Sequence, residues 1–475
     1  MSFNSFEFIW LFPIIFCVYY AVTCRKSIME KCPKLGNYLL LIISYGLYIK
    51  VKPVYALILL WVTAVTYFSA IVIEKKEAYG RKKYLVASGI VLAVLPLLVF
   101  KYYNFVSSQL KVGLSYLGVS IGIEGLNWAL PLGLSFFTLQ SVGYLADVYL
   151  KRFKAEHNWW DYMLFVSFFP QTACGPISKA KDLLPQIKSH RQFQYSQFVS
   201  GCKWLLWGMF LKVCIADRIG TIVDPVFSSE MYRNGATLFL ASILYSFQIY
   251  SDFAGYSFMA MGVGKIMGFN LINNFRRPYL SLSVTDFWHR WHISLSTWLK
   301  DYIYIPLGGS RCSKSRNYFN IFVTFMVSGI WHGANWTFIF WGILHGVAQI
   351  IEKMLGLNKL QSQGFVKAIR ILVTFIIVDL AWVFFRMPSL DKAWSVLIKI
   401  FTNMSFDMSL VLSNKTLLLP LYLLILKDVV DEYLPNLNIY NSRYLIVRWG
   451  GYVLTMLFIL LFGVFDAGQF IYASF

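Results

Sequence analysis

The chain alternates between long runs of apolar residues and short polar segments. A helix needs about 20 apolar residues to cross a bilayer, because unpaired backbone groups are too costly in hydrocarbon. The longest runs cover residues 8–22, 54–73, 84–100, 130–149, 198–215, 236–250, 336–351, 368–385 and 445–465. Shorter runs cover residues 38–48, 162–169, 319–330 and 417–426. We therefore predict an all-α polytopic membrane protein with about 11 transmembrane helices, in which the shorter runs are tilted, paired or re-entrant.

The composition supports a lipid environment. Hydrophobic residues make up 58% of the 475 residues and charged residues 14%, with a mean hydropathy of +0.58, which excludes intrinsic disorder and disfavours a soluble protein. Aromatic residues, 18% of the chain, recur along its length, as expected where many segments meet membrane interfaces. The chain has 43 Lys and Arg residues against 23 Asp and Glu residues. The basic residues lie mainly between the apolar runs and form no nucleic-acid-binding motif. We expect a lipid bilayer as partner and no nucleic acid.

Basic residues also predict the orientation of the chain. Lys and Arg cluster near residues 25–34, 75–83 and 311–316, and such clusters mark cytoplasmic loops, which places the amino terminus outside. The first apolar run has no basic segment before it and no small-residue cleavage site after it, so we expect it to remain as a membrane anchor. Because no Ser/Gly/Pro-rich linker or internal repeat interrupts the pattern, residues 1–475 are predicted to form a single domain.

Histidines point to a candidate site, since four of the six fall between residues 286 and 345. An ionisable group at membrane depth is costly unless it is paired or faces a wet cavity. His332 is followed by Gly333 and Asn335, and the next apolar run begins at Trp336. Burial disfavours the charged imidazole, and a neutral imidazole can take a proton from a hydroxyl. His332 is therefore a candidate general base; the alternative is a histidine that only hydrogen-bonds between helices.

His289 and His292 form a second pair with i, i+3 spacing, which predicts one helix that carries His292 and Trp291 on an aromatic face. Two imidazoles could bind a metal, but no third ligand follows at a recognisable offset, so we predict no metal. The alternative is an interfacial helix that lies along the membrane plane. Neither a GxSxG nor a GxxxxGK[ST] motif occurs in the sequence, which argues against a serine hydrolase and against ATP hydrolysis.

Four blocks carry a family resemblance: residues 250–257 (YSDFAGYS), 285–296 (TDFWHRWHISLS), 301–309 (DYIYIPLGG) and 329–336 (GIWHGANW). Together they resemble the membrane-bound O-acyltransferase superfamily. Within it they are most similar to the bacterial alginate O-acetyltransferase branch. On this resemblance we expect a motif-bearing catalytic core at residues 250–340.

The resemblance implies a fold and a set of site residues. The family fold is a ring of tilted helices around a central tunnel, with short re-entrant or interfacial helices. His332 matches the catalytic histidine of the family and His292 matches its second histidine. Trp331, Asn335 and Trp291 are expected to orient or bind the substrate.

The resemblance also implies a reaction. A cytoplasmic thioester, either acetyl-CoA or an acyl carrier, would donate an acetyl or short acyl group across the bacterial cytoplasmic membrane toward hydroxyls of an exported polysaccharide, alginate-like or peptidoglycan. A periplasmic or extracellular acyltransferase partner would hand the group on, and no permanently bound cofactor is needed. Alginate-branch relatives often have an acidic residue where this chain has Phe258, so an orienting carboxylate is either absent or supplied by Asp252. Two alternatives remain open: D-alanyl transfer toward teichoic acid, and a non-enzymatic polysaccharide transporter.

Overall fold

The computed structural model describes residues 3–75, 79–119, 122, 124–172, 175–229, 233–360, 362–403, 405 and 409–465. Within these ranges the chain forms helices and connecting segments without a strand, which confirms the predicted all-α class. Part of the predicted cytoplasmic loop near residues 75–83 lies outside the described residues, namely residues 76–78.

The helices follow one another with short connections. The first eleven are α1 (Phe6–Thr23), α2 (Lys26–Lys31), α3 (Leu35–Val51), α4 (Pro53–Lys75), α5 (Tyr79–Leu97), α6 (Tyr103–Tyr116), α7 (Leu134–Tyr149), α8 (Trp159–Ser167), α9 (Phe169–Thr172), α10 (Ala180–Lys188) and α11 (Tyr195–Met209). The remaining ones are α12 (Asp217–Ser228), α13 (Gly235–Ile266), α14 (Val284–Arg290), α15 (Ile293–Leu299), α16 (Lys314–His332), α17 (Trp336–Met354), α18 (Gly364–Arg386), α19 (Leu390–Thr402), α20 (Ser409–Ser413), α21 (Leu419–Tyr433) and α22 (Leu445–Phe462). Wider π-helical turns occupy Leu98–Tyr102, Phe210–Ala216 and Lys300–Tyr304.

In the described part of the chain, six helical stretches are long and apolar enough to cross a membrane. They are Phe6–Thr23, Pro53–Lys75, Lys82–Tyr116, Tyr195–Ser228, Gly364–Arg386 and Leu445–Phe462. Each coincides with one of the long apolar runs of the sequence, and the stretches keep large apolar side chains exposed, as a surface that faces lipid requires. The total of about 11 spans stays a prediction.

Three further predicted runs occur as helices α7, α13 and α17. Nearly every side chain of α7 is buried, α13 carries the buried Asp252, and α17 carries the buried His345 and Glu352. Because protein surrounds these polar side chains, the helices can bear charged groups that a lipid-facing helix would not tolerate.

The chain divides into two compact units. One comprises Met1–Cys202 and Ala260–Ile272, and the other comprises Lys203–Met259 and Asn273–Ser474. All four motif blocks fall in the second unit, so the candidate site can be described within that unit alone.

Glycines bring α16 and α17 into close contact. A Cβ atom on Gly329 would lie 2.4 Å from the backbone oxygen of Phe338, and one on Gly342 would lie 2.4 Å from the backbone oxygen of Phe325. Only hydrogen fits at these positions, so the two helix backbones approach more closely than helices with side chains at the contact can. This approach sets the end of α16 against the face of α17 that carries Trp341.

Candidate active site

His332 is the last residue of α16 and is only 2% exposed. Ser313 caps the start of the helix, because its Oγ accepts a hydrogen bond from the Arg316 backbone N–H. The helix ends where Gly333 adopts an extended conformation. The His332 ring is surrounded by aromatic rings, with centroid distances of 4.9 Å to Trp331, 4.9 Å to Trp341 and 5.4 Å to Phe385. Three aromatic rings therefore shield this imidazole from water.

His292 lies at a break between two helices. The single helix predicted across this segment is wrong: α14 ends at Arg290 and α15 begins at Ile293, because His292 adopts left-handed backbone angles of φ 43° and ψ 54°. The side chain is completely buried, and its ring lies 4.6 Å from Phe253. Burial lowers the pKa of His292 to about 3, so the ring is neutral at physiological pH.

Asn274 holds the residues that follow His292. Its backbone oxygen accepts a hydrogen bond of 3.0 Å from the Ile293 N–H, and its Oδ1 accepts one of 3.0 Å from the Ser294 N–H. One asparagine therefore fixes both peptide groups after the left-handed residue. Asn274 is itself fully buried, so water does not compete for these bonds.

An ionic clamp ties the same segment to α21. Glu432 accepts from Arg290 Nη1 at 2.9 Å and from Arg277 Nε at 2.5 Å, and Arg290 Nε also donates to Asp286 at 2.9 Å. Burial alone would raise the pKa of Glu432, but the hydrogen bonds and charges of the two arginines bring it below its usual range. The clamp is therefore charged at physiological pH, and it anchors both ends of the segment from Arg277 to Arg290.

The two predicted histidines belong to one row of aromatic rings. Trp331 lies 5.9 Å from His292 and 4.9 Å from His332, so its indole stands between them. On the other side of His332, Trp341 lies 4.9 Å from His332 and 4.9 Å from His345. Three imidazoles thus alternate with two indoles inside the second unit.

Trp291 and Asn335 both have structural contacts. Trp291 is fully buried and packs against Trp382 at 5.1 Å, which supports the aromatic row from one side. Asn335 caps α17, because its Oδ1 accepts from the Thr337 N–H at 3.1 Å, and its Nδ2 donates to the Pro388 oxygen at 2.8 Å. Both ends of the Asn335 amide are engaged, which favours a positioning role over direct contact with substrate.

Asp252 lies in a buried charge cluster. Lys212 donates to Asp252 at 2.7 Å and to Asp217 at 2.7 Å, and the side chain of Lys212 is 1% exposed. The π-helical turn Phe210–Ala216 carries this lysine, and Gly208 and Gly255 let its helix approach α13 closely. An ion pair at this depth fixes the relative position of two helices, since removal of one partner leaves an uncompensated buried charge.

Four residues of the site were not singled out by sequence: His345, Asn274, Glu432 and Glu352. Glu352 accepts bonds from the backbone N–H groups of Val284 and Thr285 at 2.5 and 3.0 Å, and so caps the start of α14. His345 was visible as part of the histidine cluster and as a polar residue within an apolar run. The other three have partners that lie far away along the chain, so no local pattern could have identified them.

A cavity of about 290 Å³ borders the site. Trp288 and Phe325 form part of the cavity wall. Trp288 also donates a hydrogen bond to His345. The polar lining includes Lys300, Lys353, His289, Ser296, Thr297 and Tyr304. The cavity combines cationic and hydroxyl groups with aromatic walls, which suits a ligand that has an anionic end and an apolar stem.

The arrangement suits proton transfer within an apolar enclosure. Neutral histidines can accept a proton, and the aromatic walls exclude water that would otherwise compete as a nucleophile. Among the described residues, no group of three His, Cys, Asp or Glu side chains is placed to hold a metal ion.

Comparisons with known proteins agree with the motif blocks. The sequence model of the membrane-bound O-acyltransferase (MBOAT) family matches residues 55–388. The probable alginate O-acetylase AlgI of Pseudomonas aeruginosa is 37% identical over 86% of this chain and 76% of its own length. The peptidoglycan O-acetyltransferase of Helicobacter pylori is 34% identical over 84% of this chain and 79% of its own. The teichoic acid D-alanyltransferase of Streptococcus thermophilus is 29% identical over 54% of this chain and 68% of its own.

Proposed function

Because the chain belongs to the membrane-bound O-acyltransferase family, we propose that it moves an acetyl or similarly short acyl group from a cytoplasmic thioester toward hydroxyls of an exported cell-surface polysaccharide. The family membership makes it a multi-pass membrane acyltransferase. The acyl group, the donor, the base and the direction of transfer are the parts that we propose.

The burial of His332 among aromatic rings carries the proposal. In the proposed step, a neutral His332 takes the proton of an acceptor hydroxyl as the oxygen attacks the thioester carbonyl. The tetrahedral intermediate then collapses, the carbon–sulfur bond breaks, and the thiolate takes up the proton from His332. General base catalysis of this kind contributes about 10² to 10⁴-fold, and alignment in a narrow enclosure adds to it.

The cavity beside Trp288 supports a thioester donor with an anionic end. Lys300 and Lys353 offer positive charge there, and the aromatic walls suit an apolar stem. Either acetyl-CoA or an acyl carrier protein with a phosphate-linked arm has this chemistry.

The names of the relatives support a surface polysaccharide as the acceptor. Alginate and peptidoglycan are the polymers in the names of the O-acetylating relatives, and both relatives align over more than 80% of this chain. D-alanyl transfer toward teichoic acid is the second candidate, and the lower identity and shorter alignment of its relative make it the weaker one. A transporter without enzymatic activity disagrees with the family membership.

The setting of the enzyme completes the proposal. We place the chain in the bacterial cytoplasmic membrane with its amino terminus outside, as one transmembrane domain with its catalytic core at residues 250–340. A periplasmic or extracellular acyltransferase would receive the acyl group, and no metal or permanently bound cofactor takes part.

A gene deletion complemented with variants tests the base. We expect His332→Ala to reach the membrane at wild-type level yet to remove the base-labile acetate of the surface polymer, because no group remains to accept the hydroxyl proton. His190→Ala is the matched control, since His190 is exposed, and it should retain wild-type ester content. Wild-type ester content in the His332→Ala strain would contradict the proposal that His332 is the base.

A further inference from the structure

His345 is the third histidine of the aromatic row, and it has a fixed environment. It lies on α17 and is 1% exposed. Its ring is 4.9 Å from Trp341, 5.2 Å from Trp288 and 6.2 Å from Phe287 by ring centroids. No charged group takes part in these contacts, so the ring is held by indoles and a phenyl ring.

One hydrogen bond sets the tautomer of this histidine. The Nε1–H of Trp288 donates to Nδ1 of His345 at 3.3 Å. An indole nitrogen can only donate, so Nδ1 must accept, and in a neutral ring the proton then resides on Nε2. His345 therefore presents an N–H donor on the side of the ring away from Trp288.

This donor has no acceptor among the described residues. The same holds for the indole N–H of Trp341, and both nitrogens are buried. A buried N–H without an acceptor costs about 1–3 kcal/mol, so such groups usually mark a place where a ligand or water completes the bond.

The two donors share one helix face. Trp341 and His345 are four residues apart on α17, which sets their side chains one turn apart on the same side. The Trp341 ring lies 4.9 Å from His332 as well as from His345. Trp341 thus contacts both the proposed base and His345. Two neighbouring N–H groups that lack acceptors suit an oxygen that gains negative charge.

We propose that Nε2–H of His345 and Nε1–H of Trp341 stabilise the oxyanion of the acyl-transfer reaction; this inference rests on the function proposed above. The hydroxyl oxygen attacks the thioester carbon and its proton moves to His332. The carbonyl π electrons move to oxygen, which accepts hydrogen bonds from His345 and Trp341. The oxyanion then reforms the carbonyl, the carbon–sulfur bond breaks, and the thiolate takes the proton from His332, which leaves an ester and a thiol.

Two amide substitutions separate the donor role of His345 from its packing role. The amide nitrogen of Gln lies near the position of Nε2, so His345→Gln keeps a donor toward the site but loses the acceptor for Trp288. The amide oxygen of Asn lies near the position of Nδ1, so His345→Asn keeps the acceptor for Trp288 but loses the donor.

The measurement is transfer of label from [¹⁴C]acetyl-CoA into polymer by membrane vesicles that contain each variant and its accompanying proteins. We expect kcat of His345→Asn to fall about 10² to 10³-fold with KM nearly unchanged, since an oxyanion donor acts in the transition state. His345→Gln should keep a kcat at least tenfold above that of His345→Asn, although its loss of the Trp288 bond makes it the less heat-stable of the two. A purely structural histidine would give the opposite order, with Asn the better variant in both measurements.

A second substitution covers the case in which a His345 variant fails to fold. Trp341→Phe removes the indole N–H and keeps an aromatic ring, so we expect kcat to fall and KM to change little. Trp394→Phe, on an exposed indole of α19, is the control. Equal kcat in the two His345 variants, or an unchanged kcat in Trp341→Phe, would overturn the oxyanion proposal. A His332→Ala enzyme with full activity would instead overturn the proposed function.

Discussion

At the scale of single residues, the backbone of His292 is the least expected feature of the site. A left-handed conformation costs a residue with a side chain about 1–2 kcal/mol, and it persists only where surrounding bonds enforce it. Asn274 supplies two such bonds, to the N–H groups of Ile293 and Ser294. Sequence identified His292 through its motif, but it placed the residue inside a helix, because the spacing of the neighbouring tryptophans fits a helical face.

Substitution of Asn274 tests how this conformation is held. We expect Asn274→Ala to lower the free energy of unfolding by about 1–3 kcal/mol, because the buried Ser294 N–H loses its acceptor. Activity should fall further than stability, since one of the two bonds that hold the backbone after His292 is lost and only the bond from Ile293 N–H to the backbone oxygen remains. Thermal unfolding in detergent and acyl transfer in vesicles measure the two effects.

Asn274→Asp is the matched control. It keeps the oxygen that accepts from Ser294, and the Nδ2 that it replaces has no acceptor among the described residues. Asn274→Asp should therefore retain more activity than Asn274→Ala. Equal losses in the two variants would show that the Ser294 bond does not hold the site.

At the scale of helices, the contact of α16 with α17 builds the aromatic row. Gly329 and Gly342 remove the side chains that would separate the backbones, and His332 and Trp341 meet as a result. The sequence revealed the two helices and the short break between them, which separates the apolar run that ends near His332 from the run that begins at Trp336. It did not reveal which glycine faces which backbone, because that depends on how the helices rotate against each other.

Glycine substitutions test this contact. Gly342→Ala would place a Cβ 2.4 Å from the backbone oxygen of Phe325, so the helices must move apart. We expect a loss of about 1–3 kcal/mol in stability, as overpacked cores show, together with a loss of activity. Gly450→Ala, in α22, meets no atom within 4 Å and is the control. If Gly342→Ala melted no earlier than Gly450→Ala, the close approach would not be needed.

At the scale of the whole molecule, hydropathy indicated a helical membrane protein. Composition excluded a disordered chain and disfavoured a soluble protein. Each of the six stretches that can cross a membrane was visible as an apolar run. The number of spans was harder to predict, because helices such as α7 are buried in protein and need not be apolar on every face. The ion pair of Lys212 with Asp252 and the clamp at Glu432 join residues far apart in sequence, and single-chain patterns contain no signal for such pairs.

The central claim is that His332 is the base for transfer of an acyl group from a cytoplasmic thioester to a hydroxyl that arrives from the other side of the membrane. The most direct measurement supplies [¹⁴C]acetyl-CoA to vesicles of known sidedness and counts base-labile label in the polymer. Inverted vesicles, with the cytoplasmic face outward, should label the polymer, and His332→Gln should reduce that rate at least about 100-fold. Equal labelling by right-side-out vesicles, or a wild-type rate in inverted His332→Gln vesicles, would contradict the account.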